Sequence, residues 1–441
     1  MWTRSRILQS VQSLEIDDSW SFKDASPSQT SYITHDYHRY PAKFIPQLAG
    51  RIIKENSRVG DLICDPFMGS GTTLVEAIVN KRRAYGTDIN PVSVLISKAK
   101  TTPIDPVFLK QELSSLLEKT KVIANGHGEQ QMLCIHTNDN FDTTILDNER
   151  LDYWFPEKQK RDLAPILSII NAVEDQNVRI FLLCSFSNIL KRCSRWMNKS
   201  TKPTIDRGKI IADAYTSFQN QIEKMAAKNE KFWNMLVDGG EDTIIVDCVV
   251  DNTDARKLKI NDDSVTLVIT SPPYVTSYEY ADLHQLTSIW LGYIDNLPEF
   301  RSKFIGSIQK DIKSINLYSK TGKETVGRLR SINKREAKGV EQYFFEMQQC
   351  FEEIYRVLKR KGRAAIIVGD TDLRGVKIQN ACVFTETLSD IGFKTYNIIK
   401  REVPSKTLPT KRDRKTGRFA STKVYNRLAY PTEYILIMEK I

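Results

Sequence analysis

The spacing of apolar and polar positions along this 441-residue chain shows two different periodicities, one typical of strands and one of helices. Near the start, a short apolar run at 61–64 precedes a glycine-rich loop, a helix-like run at 74–81 and a second short run at 84–87. Two short apolar strands around a helix form a β-α-β unit, in which the strands lie parallel. The pattern therefore predicts an α/β fold built on a mostly parallel sheet.

The periodicity changes between residues 105 and 240, where apolar side chains recur at helical spacing. Candidate helices there occupy 108–121, 165–173, 178–196 and 210–236. Strand-like runs return at 243–250, 265–269, 362–368, 393–399 and 434–438, together with an amphipathic helix at 343–358. The predicted organisation is an N-terminal arm at 1–30, one half of the α/β domain at 31–104, an inserted helical subdomain at 105–240, and the second half at 241–441 with basic loops at 300–340 and 404–428.

The composition is that of a globular protein with a basic surface. Hydrophobic residues make up 41% of the chain, and the net charge of +10 favours a polyanionic partner. The seven cysteines are odd in number, are scattered and do not cluster with the five histidines. This argues against a disulfide framework and a metal site and for a reducing compartment. With no apolar run long enough to span a bilayer and no signal-like N-terminal run, the predicted location is cytoplasmic.

The first chemical motif is the loop at 65–73, Asp-Pro-Phe-Met-Gly-Ser-Gly-Thr-Thr, directly after an apolar run. Gly69 and Gly71 permit a tight turn and close approach to a ligand. The helix starting near Thr72 would direct its N-terminal amides toward that ligand. A phosphate-binding loop is excluded, because it needs Lys followed by Ser or Thr after its last glycine. Asp88, about twenty residues on, suits the two ribose hydroxyls of a nucleoside cofactor, with a helix N-cap as the alternative.

The second motif, Ser271-Pro272-Pro273-Tyr274, follows the apolar run at 265–269. Two consecutive prolines fix φ and remove two backbone donors. The Ser271 hydroxyl and the Pro272 carbonyl remain as outward-pointing acceptors, with an aromatic face beside them. The alternative is a structural Pro-Pro turn with a packing tyrosine.

Together these segments resemble S-adenosylmethionine (AdoMet)-dependent DNA amino-methyltransferases, the N4-cytosine and N6-adenine family. The loop at 65–73 matches the pattern DPFxGSGTT, 38–44 matches H-x-YPAKF, and 271–274 matches the catalytic tetrad; the resemblance extends over 38–99 and 246–441. It implies a Rossmann-like methyltransferase fold with a mostly parallel sheet, an antiparallel C-terminal strand, helices on both faces and an inserted helical subdomain. The cofactor half precedes the catalytic half, unlike the commonest order in cytosine-N4 enzymes.

The resemblance also implies the site residues. AdoMet would be bound by Tyr40, Pro41, Lys43, Phe44, Asp65, Pro66, Phe67, Gly69, Ser70, Gly71, Thr72, Asp88 and Asp254. Of these, Asp65 resembles the acidic residue near the methionine amino group or sulfonium. Asp254, in a segment similar to the family's GDAR element, would contact adenine, although an Asp among Asn and Thr is often a turn residue. The catalytic residues would be Ser271, Pro272, Pro273 and Tyr274, with no metal and no covalent intermediate.

The chemistry of the tetrad explains what such a site does. The lone pair of an aromatic amine is delocalised into its ring. Hydrogen bonds from the amine to Ser271 Oγ and the Pro272 carbonyl would localise it for in-line attack on a methyl group. Tyr274 would stack on the base, which must be flipped out of the duplex. In the resembled family, Ser at the first position usually accompanies cytosine N4 and Asp or Asn adenine N6, so the resemblance implies cytosine N4 for Ser271. Methylation of cytosine C5 is excluded, because it needs a cysteine nucleophile after a proline and the chain has no Pro-Cys.

The expected substrate is therefore double-stranded DNA, in restriction-modification or defence, with a cognate restriction endonuclease as a further candidate partner. The inserted helical subdomain is the first candidate for target recognition, and the two basic loops are the second. An adenine-N6 DNA methyltransferase, an RNA amino-methyltransferase and a catalytically silent DNA-binding subunit are the alternatives.

Overall fold

A seven-stranded mixed sheet organises the computed structural model, which describes residues 11, 13–41, 43–125, 146–237, 246–275, 280–307, 315–403 and 432–441. In chain order its strands are β1 (Leu62–Asp65), β2 (Arg83–Thr87), β3 (Cys248–Asp251), β4 (Val265–Thr270), β5 (Leu358–Val368), β8 (Phe393–Glu402) and β9 (Thr432–Lys440). A separate hairpin is formed by β6 (Thr371–Leu373) and β7 (Val376–Ile378). The spatial order is β3-β2-β1-β4-β5-β9-β8. Neighbours from β3 to β5 are parallel, and β9 is antiparallel to both β5 and β8. This confirms the predicted sheet.

Helices connect and cover these strands. Before the insertion they are α1 (Pro27–Thr30), α2 (Pro46–Asn56), α3 (Thr72–Val79) and α4 (Pro91–Thr101). The middle of the chain contains α5 (Pro106–Asn125), α6 (Glu149–Trp154), α7 (Glu157–Asn171), α8 (Gln176–Leu190) and α9 (Ala214–Val237). The second half contains α10 (Tyr280–Leu283), α11 (Gln285–Trp290), α12 (Leu297–Lys303), α13 (Lys320–Ile332), α14 (Lys334–Val357) and α15 (Asn380–Ile391).

The two faces of the sheet belong to different hydrophobic cores. Along β1 and β4, alternate side chains point to opposite faces, as the pleat requires. Ile63 and Leu267 pack in the core that contains α2 and α3 residues such as Leu48 and Leu74. Cys64 and Val268 pack in the core that contains side chains of α13, α14 and α15. Both faces are therefore covered by helices, as predicted.

The helices of the middle segment share a core with the sheet domain. Their buried side chains form one cluster with Val92 and Ile96 of α4 and with Leu286, Ile289 and Trp290 of α11. The described part of 105–240 is helical except around 191–213. The division into a separate subdomain stays a prediction.

Helix α8 ends at Leu190, earlier than the predicted 196. Lys209 Nζ donates to the carbonyls of Lys191, Ser194 and Trp196 at 2.7–2.8 Å. A cation at these carbonyls stabilises the C-terminus of a helix and the turn that follows it.

The described parts of two segments, the predicted N-terminal arm and the predicted basic loop at 300–340, are packed against the domain. Within the N-terminal arm at 1–30, Trp20 is 3% exposed and lies under the Arg51 guanidinium, 3.7 Å from the ring centroid. Ile16 forms a parallel bridge with Lys400 of β8. The described part of this arm is therefore held against the domain.

The predicted basic loop at 300–340 is wrong, because α13 and the start of α14 occupy most of its described part. Ser319 caps α13 by accepting from the Gly322 amide, and Val326 and Leu329 are buried on one face of the helix. Glu386 of α15 accepts hydrogen bonds from Ser319 and Thr321. Only a narrow apolar stripe and buried polar contacts hold this helix against the domain. Its sequence therefore contains few apolar residues and resembles that of a loop. The other predicted basic loop, 404–428, lies outside the described residues. Among the helices that the structure describes, none is long and apolar enough to cross a bilayer.

Candidate active site

The carboxyl ends of four adjacent parallel strands open into one cavity. The loops after β1, β2, β3 and β4 meet there, which is where open α/β sheets bind their ligands. The cavity is partly open to solvent, and its empty space, which includes part of that open solvent, is about 860 Å³. It is lined by the predicted residues Tyr40, Lys43, Phe44, Pro66, Phe67, Gly69, Ser70, Thr72, Asp88, Asp254, Ser271 and Pro273. Both sequence motifs therefore contribute to a single site.

Five predicted residues do not line this cavity: Pro41, Asp65, Gly71, Pro272 and Tyr274. Conversely, Met68, Ile89, Asn90, Ala255, Tyr280, Lys303, Phe304 and Ile305 line it without having been predicted. Proximity in sequence could have suggested Met68, Ile89, Asn90 and Ala255, which neighbour predicted residues. The wall at 303–305 has no such signal, because only the tertiary fold brings it to the loop at 65–73.

Asp88 lies where a ribose-binding carboxylate is expected. Its Oδ2 accepts from the Gly69 amide at 3.1 Å and its Oδ1 from the Asn90 amide at 2.9 Å. Burial raises the pKa of this carboxyl to about 6. The N-cap of α4 is Asn90, whose side chain accepts from the Val92 amide. Asp88 is therefore not needed as the cap, and it lines the cavity.

The two loop glycines form the predicted tight turn, and Gly71 has a further packing role that was not predicted. Gly69 and Gly71 have φ of +50° and +72°, a region that side chains with a Cβ rarely adopt. A Cβ on Gly69 would lie 3.2 Å from the Tyr40 ring, and one on Gly71 would lie 2.9 Å from Ser97 Oγ of α4. Gly71 therefore lets α4 pack closely on the loop, and its contact with the cavity is indirect.

Asp65 is buried behind the cavity wall. Its carboxylate accepts from Thr73 Oγ1 and Thr270 Oγ1, each at 2.7 Å, and from the Phe67 amide at 3.1 Å. Burial raises its pKa to about 6, and these hydrogen bonds oppose that rise. Asp65 joins the ends of β1 and β4 to the start of α3, so it holds the two motifs together from behind.

Asp254 lines the cavity and is held by an arginine. Its Oδ1 accepts from the Arg256 amide and from Arg256 Nε, both at 2.9 Å. The same guanidinium donates through Nη1 to Glu346 at 2.8 Å. The hydrogen bonds to Asp254 raise the pKa of Arg256 further. The turn that was the alternative interpretation of Asp254 is thus present, and this turn also forms part of the cavity wall.

The proline tetrad is anchored from α14 and β9. The Tyr343 hydroxyl donates to the Pro273 carbonyl at 2.8 Å, and the Tyr274 hydroxyl donates to Glu433 Oε1 at 3.2 Å. Ser271 and Pro273 are half-buried at the cavity, while Pro272 is buried.

The H-x-YPAKF segment is fixed by contacts on both sides. The Tyr40 hydroxyl shares a hydrogen bond of 3.0 Å with Ser93 Oγ, and its ring stacks on His284 with centroids 5.0 Å apart. Burial lowers the pKa of His284 to about 3, so this ring is neutral. Lys43 Nζ donates to the His35 carbonyl at 2.7 Å.

Unpaired polar atoms indicate what the cavity accommodates. Three buried atoms of lining residues have no partner within the part of the chain that the structure describes: Ser70 Oγ, Thr72 Oγ1 and Asn90 Nδ2. An unmade hydrogen bond at a buried atom costs about 1–3 kcal/mol. A ligand with hydroxyl, amine and carboxylate groups would supply the missing partners. Aromatic walls from Phe67 and Phe304 suit its purine. The residues present therefore fit AdoMet.

Comparison with known proteins agrees with this geometry. The sequence profile of the DNA methylase family of N6 and N4 methyltransferases matches residues 3–99 and 265–441. The type II methyltransferase M.MvaI of Kocuria varians is 27% identical, over 97% of this chain and 95% of its own. The type II methyltransferase M.BsoBI of Geobacillus stearothermophilus is 24% identical, over 82% of this chain and 79% of its own.

Among solved structures, the putative DNA modification methylase TTHA0409 of Thermus thermophilus, in complex with S-adenosyl-L-methionine, is 18% identical. It matches 42% of this chain and 53% of its own with a TM-score of 0.21, a likeness too weak to add to the sequence match. The family profile matches more than half of the chain, including both the loop at 65–73 and the tetrad. The chain belongs to the DNA methylase family and is an AdoMet-dependent DNA amino-methyltransferase.

Proposed function

We propose that this protein methylates the exocyclic N4 of cytosine in a short duplex DNA sequence, within a restriction-modification or defence system. One observation carries the proposal: Ser271 of the tetrad and Asp88 and Gly69 of the cofactor half line the same cavity. Serine at the first tetrad position favours cytosine over adenine by resemblance to the family. The type II names of the relatives support a role beside a cognate restriction endonuclease.

In this proposal each residue has a defined task. AdoMet supplies an electrophilic methyl group when bound. Asp88 accepts from the ribose hydroxyls, Asp254 contacts the adenine, and the walls at Tyr40 and Phe44 enclose the methionine end. Ser271 Oγ and the Pro272 carbonyl accept the two amine hydrogens of the target base and localise the nitrogen lone pair.

The base reaches this cavity only after leaving the duplex. Extrusion costs a few kcal/mol, which stacking and hydrogen bonds in the pocket must offset. In the proposal, Tyr274 supplies the stacking face beside Ser271. Its hydroxyl bond to Glu433 would hold the ring in one orientation.

The helical insertion offers a surface for the DNA backbone. Residues 191–209 contain seven Lys or Arg and a single Asp, and Arg192, Lys199, Lys202 and Arg207 are exposed. This segment follows α8, whose Asn188 accepts from the backbone amide of Arg39 at 3.1 Å. Arg39 is exposed and directly precedes Tyr40 of the cavity wall. These contacts support phosphate binding by the insertion near the active site.

Nucleoside mass spectrometry tests the reaction and the base together. The protein is incubated with AdoMet and unmethylated genomic DNA, and the DNA is digested to nucleosides. We expect N4-methylcytosine, which is absent with Ser271→Ala. N6-methyladenine would refute the choice of base and keep the mechanism. Label that enters RNA and not DNA would refute the substrate.

A further inference from the structure

Helix α14 presents two buried polar side chains toward the active site. Tyr343 and Glu346 lie three residues apart and so share one face of the helix. Tyr343 is 2% exposed and Glu346 is fully buried. Neither residue lines the cavity. Both nevertheless bond to the elements that form its walls.

Tyr343 holds the tetrad. Its hydroxyl donates to the Pro273 carbonyl at 2.8 Å. Because Pro272 and Pro273 have no N–H groups, their backbone is fixed only through carbonyls and packing. A donor at this carbonyl therefore helps to fix the orientation of the neighbouring Pro272 and of Ser271, which lines the cavity. A shift of about 1 Å in such groups costs about 100-fold in rate.

Glu346 joins two walls of the cavity. Its Oε1 accepts from Arg256 Nη1 at 2.8 Å, and Arg256 in turn holds Asp254. Its Oε2 accepts from the Gly306 amide at 2.6 Å. Gly306 directly follows the lining residues Phe304 and Ile305. One carboxylate thus ties the wall at Asp254 to the wall at 304–305.

This link between the two walls needs a carboxylate, which has two acceptor oxygens. Each oxygen of Glu346 accepts from a different wall, and a neutral amide offers an acceptor to only one of them. A buried ion pair is weak evidence for stability alone, because well-packed apolar side chains often stabilise a protein as much. Stability alone therefore does not account for the pair of Glu346 and Arg256, whereas a role in cavity geometry does.

We infer that Tyr343 and Glu346 are positioning residues for methyl transfer. Tyr343 orients the tetrad and acts on turnover, while Glu346 sets the distance between the cofactor walls and acts on AdoMet binding. This inference rests on the proposed role of the tetrad and of Asp254.

Steady-state kinetics with the full-length protein separates the two roles. We expect Tyr343→Phe to lower kcat about tenfold or more and to leave the KM for AdoMet within about twofold. We expect Glu346→Gln to raise the KM for AdoMet and its Kd in calorimetry about tenfold, with kcat largely retained. Exchange of these two patterns, or equal losses in both parameters for both variants, would overturn the inference.

Glu386→Gln is the matched control. Glu386 is also buried and also bridges two residues, but it accepts from two hydroxyls and an amide of Ser319 and Thr321, which do not line the cavity. It should lower the melting temperature and leave kcat and KM unchanged. If Glu346→Gln does not fold, Arg256→Gln breaks the same tie at its more exposed end and should give the same rise in KM.

Measuring Ser271→Ala in the same experiments distinguishes a failure of the positioning roles from a failure of the proposed function. Lost turnover in Ser271→Ala together with wild-type constants in Tyr343→Phe and Glu346→Gln would refute the positioning roles alone. Full turnover in Ser271→Ala would refute the proposed function itself.

Discussion

Gly71 tests how the loop at 65–73 is held against α4. A Cβ at this position meets Ser97 Oγ at 2.9 Å, Ser97 Cβ at 3.1 Å and Ser97 Cα at 3.3 Å, and the residue has φ of +72°. The strained φ costs an L-residue about 1–2 kcal/mol. Overpacking against the helix adds about 1–3 kcal/mol. We therefore expect Gly71→Ala to destabilise the fold by about 2–5 kcal/mol.

Gly60 provides the control that isolates the packing contribution. Its φ is +82°, and a Cβ there would have nothing within 4 Å. Gly60→Ala therefore carries only the conformational cost. Urea unfolding followed by circular dichroism gives both free energies of unfolding, and calorimetry gives AdoMet affinity. Gly71→Ala should lose about 1–3 kcal/mol more than Gly60→Ala and should bind AdoMet more weakly. Equal losses in the two variants would refute a tight contact between the loop and α4.

Three further predictions concern charge, pH and stacking. DNA affinity should fall steeply as the salt concentration rises, and the double variant Lys199→Glu/Lys202→Glu should bind DNA more weakly, with a salt slope reduced by about 1 per charge. The control is Arg328→Glu/Arg335→Glu, an exposed pair on α13 and α14, and equal effects of the two double variants would contradict DNA binding by the insertion. Because burial raises the pKa of Asp88 to about 6 and the ribose hydroxyls favour its ionised form, AdoMet affinity should weaken as the pH falls through 6. Asp88→Asn should remove this pH dependence, and a pH dependence that persists in the variant would exclude Asp88 as its cause. Tyr274→Phe should keep turnover within about threefold because the aromatic ring remains, whereas Tyr274→Ala should lower turnover by about tenfold or more, since stacking contributes about 1–3 kcal/mol per base. Equal turnover in the two variants would exclude stacking of the base on Tyr274.

The sequence was sufficient for those parts of the fold that local patterns determine. The β1-α3-β2 unit and the loop at 65–73 were predicted because short apolar runs, two glycines and a helix start lie within thirty residues of one another. Helix boundaries were less accurate. Helix α8 stops at Leu190 because Lys209, nineteen residues later in the chain, caps it through tertiary contacts.

The parts of the site that were missed depend on contacts distant in sequence. The wall at 303–305 reaches the cavity through Gly306 and Glu346, and no local pattern identifies that pair. Helix α13 was mistaken for a loop, because its stability depends on Glu386 and a narrow apolar stripe. Asp65 was predicted to contact the cofactor, whereas the structure shows it behind the cavity wall; its contacts with Thr73 and Thr270 became visible only when β1 and β4 were adjacent.

Single-turnover methyl transfer by Ser271→Ala tests the central claim most directly. Saturating AdoMet and duplex DNA remove binding effects, so the rate reports on the chemical step alone. We predict that transfer slows by about 100-fold or more, while calorimetry shows unchanged affinity for AdoMet. Transfer within a few-fold of the wild-type rate would contradict the role of Ser271 at the amine and would remove the tetrad from the mechanism.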